Sequence, residues 1–87
     1  MSIESELGME LSMYRSMKSK VLVELKTAKA KPFIAQVKGF IYSVGEEDQV
    51  EFERLENTVF PTDTGTEKLK TFVTTIQNIK KVERIKG

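Results

Sequence analysis

Two neighbouring segments, Val21-Leu-Val-Glu-Leu25 and Ala35-Gln-Val-Lys-Gly-Phe40, decide the fold of this chain. The two valines and the last leucine of the first segment alternate with other residues, so one of its faces is purely apolar. This period of two is typical of a half-buried strand. Gly39 lies inside the second segment, where a glycine usually marks a bulge, a bend or a close backbone approach. The two segments therefore predict adjacent strands of a strongly bent sheet.

The length and composition of the chain limit how such a fold is supported. Its 87 residues predict one domain over 1–87, with a helix over 1–19 and a sheet over 20–87. A domain of this size buries only about 60–65% of its unfolded surface, so its core is small. The chain has no cysteine and no histidine, which excludes disulfides and the commonest zinc ligands. Association with further copies is the remaining support that we expect.

The hydropathy and charge of the chain favour a cytoplasmic protein that has no membrane partner. No apolar run approaches the roughly 20 residues of a membrane helix, and the acidic start does not resemble a signal peptide. The net charge of +1 gives no overall attraction to nucleic acid or lipid. The charges are nevertheless segregated, with acidic residues concentrated in 46–56 and basic residues in 18–38 and 80–86. Such asymmetry can orient a surface or match one subunit to another.

An amphipathic helix is predicted over 2–17. Ile3, Leu7, Leu11 and Tyr14 follow one another at spacings of four, four and three, which forms a single apolar stripe. Three methionines are expected to widen this stripe: Met9, Met13 and Met17. We expect the stripe to cover an open end of the sheet or to contact a neighbouring subunit.

Five antiparallel strands are predicted after the helix. Their approximate bounds are 20–27, 33–44, 49–55, 69–75 and 80–85. Proline, glycine and several threonines indicate a loop over 57–67, in which Phe60 either extends a strand or anchors the loop. A tight turn over 76–79 joins the last two strands. The core is expected to contain Val23, Leu25, Phe33, Val37, Phe40, Val50, Phe52, Phe72, Val73, Ile79 and Val82. This pattern favours a mainly β fold, a partly closed small barrel with an N-terminal helix.

In this order of elements the chain resembles the Sm-like family of ring-forming RNA-binding proteins, which includes the bacterial Hfq type. The family's first motif is an alternating strand followed by a small, an apolar and a basic residue and then Gly-Phe, as in 21–26 and 35–40. The resemblance implies a barrel of the Sm-like or SH3-like kind. It also implies a closed ring of about five to seven copies, in which strand four of one subunit pairs with strand five of the next. The interface residues that it implies are Leu69, Thr71, Phe72, Val73, Val82 and Arg84.

The resemblance further implies single-stranded RNA as a partner. Tyr42 falls near the family's base-stacking position, and Gln77 and Asn78 fall in the turn where the family's second motif meets RNA. Lys38 is a candidate for phosphate contact in a pore or on a face. Each residue also has a structural alternative: packing for Tyr42, turn geometry for Asn78, and simple solvation for Gln77 and Lys38.

Two departures from the family bear on this partner. An acidic residue normally follows the Gly-Phe pair, whereas Ile41 occupies that position here, and the asparagine that usually comes a few residues later is absent. The last turn has Gln77-Asn78 in place of the family's Arg-Gly or Lys-His. We therefore expect any base preference to differ from the uridine preference common in the family.

A second hypothesis keeps the same barrel and gives it no role with nucleic acid. A structural or protein-interaction module, such as a small accessory protein of a phage, fits the short chain and the substituted pocket. A basic, aromatic pore face would favour RNA binding, and an acidic or featureless pore would favour the module. The sequence has no glycine-rich phosphate loop, no nucleophile with a histidine partner and no metal-ligand spacing. We therefore expect neither an enzyme nor a cofactor or metal.

Overall fold

A computed structural model describes residues 3–27, 29–42, 44–56, 58–63 and 69–85. The elements are α1 Ile3–Met17, β1 Lys20–Leu25, β2 Phe33–Ile41, β3 Gln49–Arg54, β4 Thr71–Thr75, a 3-10 helix Ile76–Asn78 and β5 Ile79–Arg84. The predicted fold class is confirmed, because one N-terminal helix is followed by a five-stranded antiparallel sheet. The predicted second strand was too long, since β2 ends at Ile41 and the chain then turns through Gly45, which has a φ of 81°.

The sheet is open but strongly curled. Its strand order is β4-β3-β2-β1-β5, so β4 and β5 are its two edges and no ladder between them closes the described strands into a barrel. In a flat sheet these edges would be about 19 Å apart, at about 4.8 Å per strand spacing. Three residues of 3-10 helix, Ile76–Asn78, join them here, and such a segment advances the chain only about 6 Å. The edges must therefore approach each other at this end of the sheet.

Backbone hydrogen bonds hold Ile76–Asn78, which we call the 3-10 link, against two separate strands. The amide of Ile76 donates to the carbonyl of Asp48 at 3.0 Å, which continues the ladder between β3 and β4. The amide of Lys26 donates to the carbonyl of Asn78 at 2.7 Å, just beyond the end of β1. The three residues of the link thus bond next to β3 at one end and next to β1 at the other, although β2 separates these strands in the sheet. Both bonds can form because the sheet is curled.

The bend predicted at Gly39 is a β-bulge. Val37 and Gly39 face consecutive residues of β3, so Lys38 is the extra residue on β2. A bulge bends its strand and increases the local twist. It also changes which residues face the core. Before the bulge the odd-numbered residues Phe33, Ala35 and Val37 are buried, whereas after it Phe40 packs against the core. A Cβ atom on Gly39 would meet only the side chain of Arg15, at an ordinary 3.9 Å.

Four phenylalanine rings form the centre of the core. The Phe33 ring lies edge-to-face on the rings of Phe52, Phe60 and Phe72, with centroids 5.4 to 5.6 Å apart. Such pairs stabilise a core beyond the area they bury. Phe60 is only 2% exposed, so it anchors the loop after β3 and does not extend a strand.

Most of the predicted core is confirmed, with one error in β4. The following predicted residues are buried: Val23, Leu25, Phe33, Val37, Val50, Phe52, Ile79 and Val82. Phe40 and Phe72 are partly buried and pack against these residues. The prediction for Val73 was wrong, because this side chain is 40% exposed. Val73 lies opposite Glu51 on the convex face of the sheet, whereas Phe72 lies opposite Phe52 on the concave face.

Helix α1 covers one end of the curled sheet, where it packs on β2 and the 3-10 link. Leu11 and Tyr14 are buried and Leu7 packs against the core, while the side chain of Ile3 lies outside the described residues. The Tyr14 hydroxyl donates to a Glu10 carboxylate oxygen at 2.9 Å. Burial of the ring, and next this bond to a carboxylate, raise the pKa of Tyr14 above its ordinary value.

The methionines of α1 do not widen this buried stripe, so that prediction was wrong. Met9, Met13 and Met17 are 68%, 51% and 45% exposed. Among the described apolar side chains of α1, Leu7, Leu11 and Tyr14 pack against the core.

Arg54, the last residue of β3, fixes the loop that follows the strand. Its guanidinium donates to the carbonyls of Leu69 at 2.8 Å and Thr58 at 2.7 Å, and it pairs with both carboxylate oxygens of Asp63. It also lies over the Phe60 ring, 4.7 Å from the centroid. The Arg54 and Asp63 side chains are only 18% and 8% exposed, so this ion pair is largely removed from water.

We predict that Arg54→Met lowers the free energy of unfolding by about 3 kcal/mol, because it leaves a buried carboxylate without its guanidinium partner. Lys80→Met is the matched control, since it removes the exposed pair between Lys80 and Glu24, 3.6 Å apart, and should cost less than about 1 kcal/mol. Urea unfolding followed by circular dichroism measures both changes. Equal losses in the two variants would contradict a structural role for Arg54.

Candidate functional site

Three of the four residues predicted to contact RNA lie at one end of the sheet. Tyr42 follows β2 directly, and Gln77 and Asn78 lie in the 3-10 link after β4. The strand register brings these positions to the same end of the sheet. Ile41, the last residue of β2, is opposite Gln49, and Gln49 is opposite Thr75, the last residue of β4. We call this end, formed by Tyr42, residues 44–49 and the 3-10 link, the Tyr42 rim.

Tyr42 has the geometry of a stacking platform. Its side chain is 69% exposed, and its ring lies nearly parallel to that of Phe40, with an interplanar angle of 19° and centroids 6.1 Å apart. Phe40 is itself packed against the core and so supports the tyrosine from within. Tyr42 thus combines the two alternatives left open by the sequence, packing on its inner side and offering an exposed aromatic surface to a ligand.

The two amides of the 3-10 link have different roles. The Asn78 Oδ1 accepts a hydrogen bond from the Thr27 hydroxyl and its Nδ2 donates to the Thr74 hydroxyl, both at 3.2 Å. Its side chain therefore ties the link to the chain after β1 and to β4, as turn chemistry would require. The Gln77 side chain, by contrast, is exposed. Of the two, Gln77 is the residue that a ligand can reach without disturbing the fold.

A shallow hollow of about 470 Å³ lies beside Gln77. Its lining residues are Gln49, Val73, Thr74, Thr75, Gln77 and Asn78. The hollow is mostly polar, and its hydroxyl and amide groups can both donate and accept hydrogen bonds. Sequence reasoning did not single out Gln49, Thr74 or Thr75. Pairing the third and fourth predicted strands in antiparallel register would have placed them beside the turn.

Lys38 lies away from the Tyr42 rim. It is the exposed extra residue of the β2 bulge, and its carbonyl accepts a hydrogen bond from Arg15 Nε at 3.0 Å. It therefore lies beside Arg15, a basic residue in the last turn of α1. The charged residues of the rim itself are all acidic: Glu46, Glu47 and Asp48, each of them exposed.

The backbone of β4 turns alternate residues towards the open edge. The Lys70 carbonyl accepts a hydrogen bond from the Arg54 amide at the end of β3. The Ile76 amide donates to the carbonyl of Asp48, just before β3 begins. Antiparallel pairing alternates, so Thr71, Val73 and Thr75 direct their backbone groups away from β3. Thr71 and Val73 belong to the predicted interface. Their backbone N–H and C=O groups face outwards, where a neighbouring strand would pair with β4.

The same alternation holds at the other edge. The amide of Ile85 donates to the carbonyl of Lys20 at 2.9 Å, so the backbone groups of Val82 and Arg84 face away from β1. The Val82 side chain is buried in the core, so only its backbone is available to a partner. Arg84 is exposed.

The side chains along the β4 edge are unusually apolar for a free surface. Leu69 is 60% exposed and Val73 is 40% exposed, with the half-buried Phe72 between them in the sequence. Glu51 and Glu53 lie opposite this strand, on β3. The β5 edge carries Lys80, Lys81 and Arg84. The same strand also carries Glu83, which pairs with Lys81, while Lys80 pairs with Glu24 of β1. The β4 edge is therefore apolar with acidic neighbours, and the β5 edge has three basic residues against one acidic residue.

In the part of the chain that the structure describes, helix length and acidic clusters bear on membrane and metal binding. None of its helices has the length and apolar character that crossing a membrane requires. Its acidic side chains form no group of three or more that could hold a metal ion. No family model, no curated protein and no solved structure matches this chain. Its function is consequently argued from geometry.

We predict that Asn78→Ala lowers the free energy of unfolding by about 1 kcal/mol, because two side-chain hydrogen bonds of the 3-10 link are lost. The matched change one residue earlier, Gln77→Ala, should alter it by less than about 0.5 kcal/mol, since this side chain is exposed. Thermal and urea unfolding of the two variants give the comparison. A larger loss in Gln77→Ala than in Asn78→Ala would show that the two roles are reversed.

Proposed function

We propose that this chain is a ring-forming protein of the Sm-like type whose Tyr42 rim binds single-stranded RNA. The observation that carries the proposal is the open, curled sheet, in which β4 and β5 are the two edge strands and do not pair with each other. Unpaired strand edges are templates for pairing with another chain. Placing the β4 edge of one copy on the β5 edge of the next is a head-to-tail contact, and such contacts close into a ring when the rotation permits.

The composition of the two edges supports this pairing. In the proposed contact, Leu69 and Val73 would be covered by the neighbouring subunit, which removes exposed apolar surface from water. Glu51 and Glu53 beside β4 give this edge a negative charge, and the β5 edge has three basic residues against one acidic residue, Glu83. Charge complementarity of this kind favours the correct partner and orientation.

RNA is proposed as the ligand because of the groups that the rim combines. A base can stack on the exposed Tyr42 ring, and stacking contributes about 1–3 kcal/mol per base. The amide of Gln77 and the polar hollow beside it can bond to base edges. A ring repeats this weak site once per subunit, so one RNA strand can engage several copies with much higher avidity. Lys38, farther along β2, is the proposed phosphate contact.

A second candidate function is a structural or protein-interaction ring with no nucleic-acid role. The observation that favours it is the acidic turn of the rim, where Glu46, Glu47 and Asp48 are exposed. These carboxylates repel phosphate, and the Asn78 amide is already bonded within the subunit. Both candidates require the same β4–β5 contact and differ only in what the rim binds.

We predict that Val73→Lys converts a multimer of about five to seven copies into smaller species, because a lysine on an edge strand disfavours strand pairing. Val44→Lys is the matched control, since Val44 is fully exposed in the turn after β2 and lies away from both edges. Light scattering after size exclusion gives the masses. A wild-type monomer, or a Val73→Lys variant with an unchanged mass, would refute the ring.

We predict that Tyr42→Ala weakens binding of a short labelled RNA by roughly five- to a hundredfold, which corresponds to one lost stacking contact. Tyr42→Trp keeps an aromatic ring at this position and should retain the affinity. Fluorescence anisotropy with A-rich and U-rich oligonucleotides measures the binding and its base preference. A multimer that binds neither RNA would leave the structural module as the function.

A further inference from the structure

Helix α1 has a second apolar stripe, on a face that does not contact the sheet. Met9, Met13 and Met17 are spaced four residues apart, so they lie above one another on one side of the helix. Their exposures, 68%, 51% and 45%, contrast with the burial of Leu11 and Tyr14 on the core side. Methionine is a flexible side chain that suits contact surfaces. We infer that two copies of this chain dock α1 against α1, antiparallel, through this methionine stripe.

The charges along α1 favour a second copy as the occupant. Glu6 and Glu10 accompany the first half of the stripe, whereas Lys18 and Lys20 follow its end, and three of these four side chains are exposed. In an antiparallel pair, the acidic start of one helix faces the basic end of the other. An anionic lipid surface would instead be repelled by the two glutamates beside the methionines. The surface is thus complementary to itself.

A two-fold axis near Met13 gives this contact a simple geometry. Met13 then meets Met13 of the second copy, and Met9 meets its Met17. The helix has 15 residues and is about 22 Å long, so Glu6 of one copy lies near the helix end of the other, where Lys18 follows α1 and Lys20 begins β1. Each contact occurs twice, as in other isologous interfaces.

The proposed α1 contact is independent of the strand edges. The main contacts of α1 are with β2 and the 3-10 link, and Arg84 of β5 lies near Tyr14 on the core side of the helix, whereas the exposed methionines lie on another side. A chain that uses only the α1 contact forms a dimer. A chain that uses both contacts pairs two rings when the two-fold axis is perpendicular to the ring axis, which doubles the mass expected for one ring of about five to seven copies.

The test places a charge at the centre of the stripe. In a Val73→Lys background, where edge pairing is blocked, α1 docking should leave a dimer. Adding Met13→Lys should weaken that dimer at least tenfold, as measured by sedimentation over a range of concentrations. Lysine is a good helix former and Met13 is exposed, so the subunit keeps its fold. Adding Ser12→Lys, the same charge on a neighbouring exposed face, should leave the dimer intact.

Charge reversal tests the antiparallel order. Glu6→Lys should weaken the dimer, and the double variant with Lys20→Glu should restore it. Failure of the double variant to recover would overturn the antiparallel arrangement. A monomer in the Val73→Lys background, or a dimer that Met13→Lys does not affect, would overturn the contact itself.

Two further results separate this inference from the proposed function and from another occupant. If Val73→Lys leaves the wild-type mass unchanged while Met13→Lys reduces it, the ring fails and the α1 contact stands. If the protein binds vesicles of phosphatidylcholine and phosphatidylglycerol only while Met13 is intact, and forms no α1 dimer, a lipid surface replaces the second copy as the occupant.

Discussion

The 3-10 link is the constraint on which the rest of this structure depends. It joins the two edges of a five-stranded sheet with three residues, so the sheet can form only if it curls. The curl creates the concave side on which four phenylalanine rings meet, and α1 covers one of its ends. Hydrogen bonds from Ile76 to the β3 side and from Lys26 to Asn78 fix the link in place. A longer connection would allow a flatter sheet and a less enclosed core.

The same constraint determines where the molecule can interact. The curl brings the exposed Tyr42 ring and the Gln77 amide to one rim, although the two residues are far apart in the sequence. It leaves β4 and β5 as separate edges whose backbone groups at Val73 and Arg84 face outwards. It also leaves the methionine side of α1 uncovered, since the described apolar side chains that pack on the core are those of Leu7, Leu11 and Tyr14. The surfaces proposed for assembly and for ligand binding are therefore consequences of how the core is closed.

The sequence predictions succeeded where residue periodicity has one interpretation and failed where apolar residues were adjacent. The alternation in Val21–Leu25 predicted a strand, and Gly39 marked the bulge. Phe72 and Val73 are both apolar neighbours in β4, and only the register with β3 shows that Phe72 faces the core. On α1 the sheet has room for one stripe, so the methionines remain exposed. Of the four residues predicted to contact RNA, Tyr42 and Gln77 lie exposed at one rim, Lys38 lies elsewhere on β2, and the Asn78 side chain is hydrogen-bonded within the turn.

The sequence by itself determined the class of fold, the order of its elements and most of its core, because strand and helix periods depend on local alternation of apolar and polar residues. It also restricted the chemistry, since a chain without cysteine or histidine offers few ligands and bases. Only the tertiary structure decided the burial of Phe60, the Arg54–Asp63 pair and the internal bonding of Asn78. Each of these depends on contacts between segments distant in sequence. Such contacts are set by how the sheet curls, which local patterns do not encode.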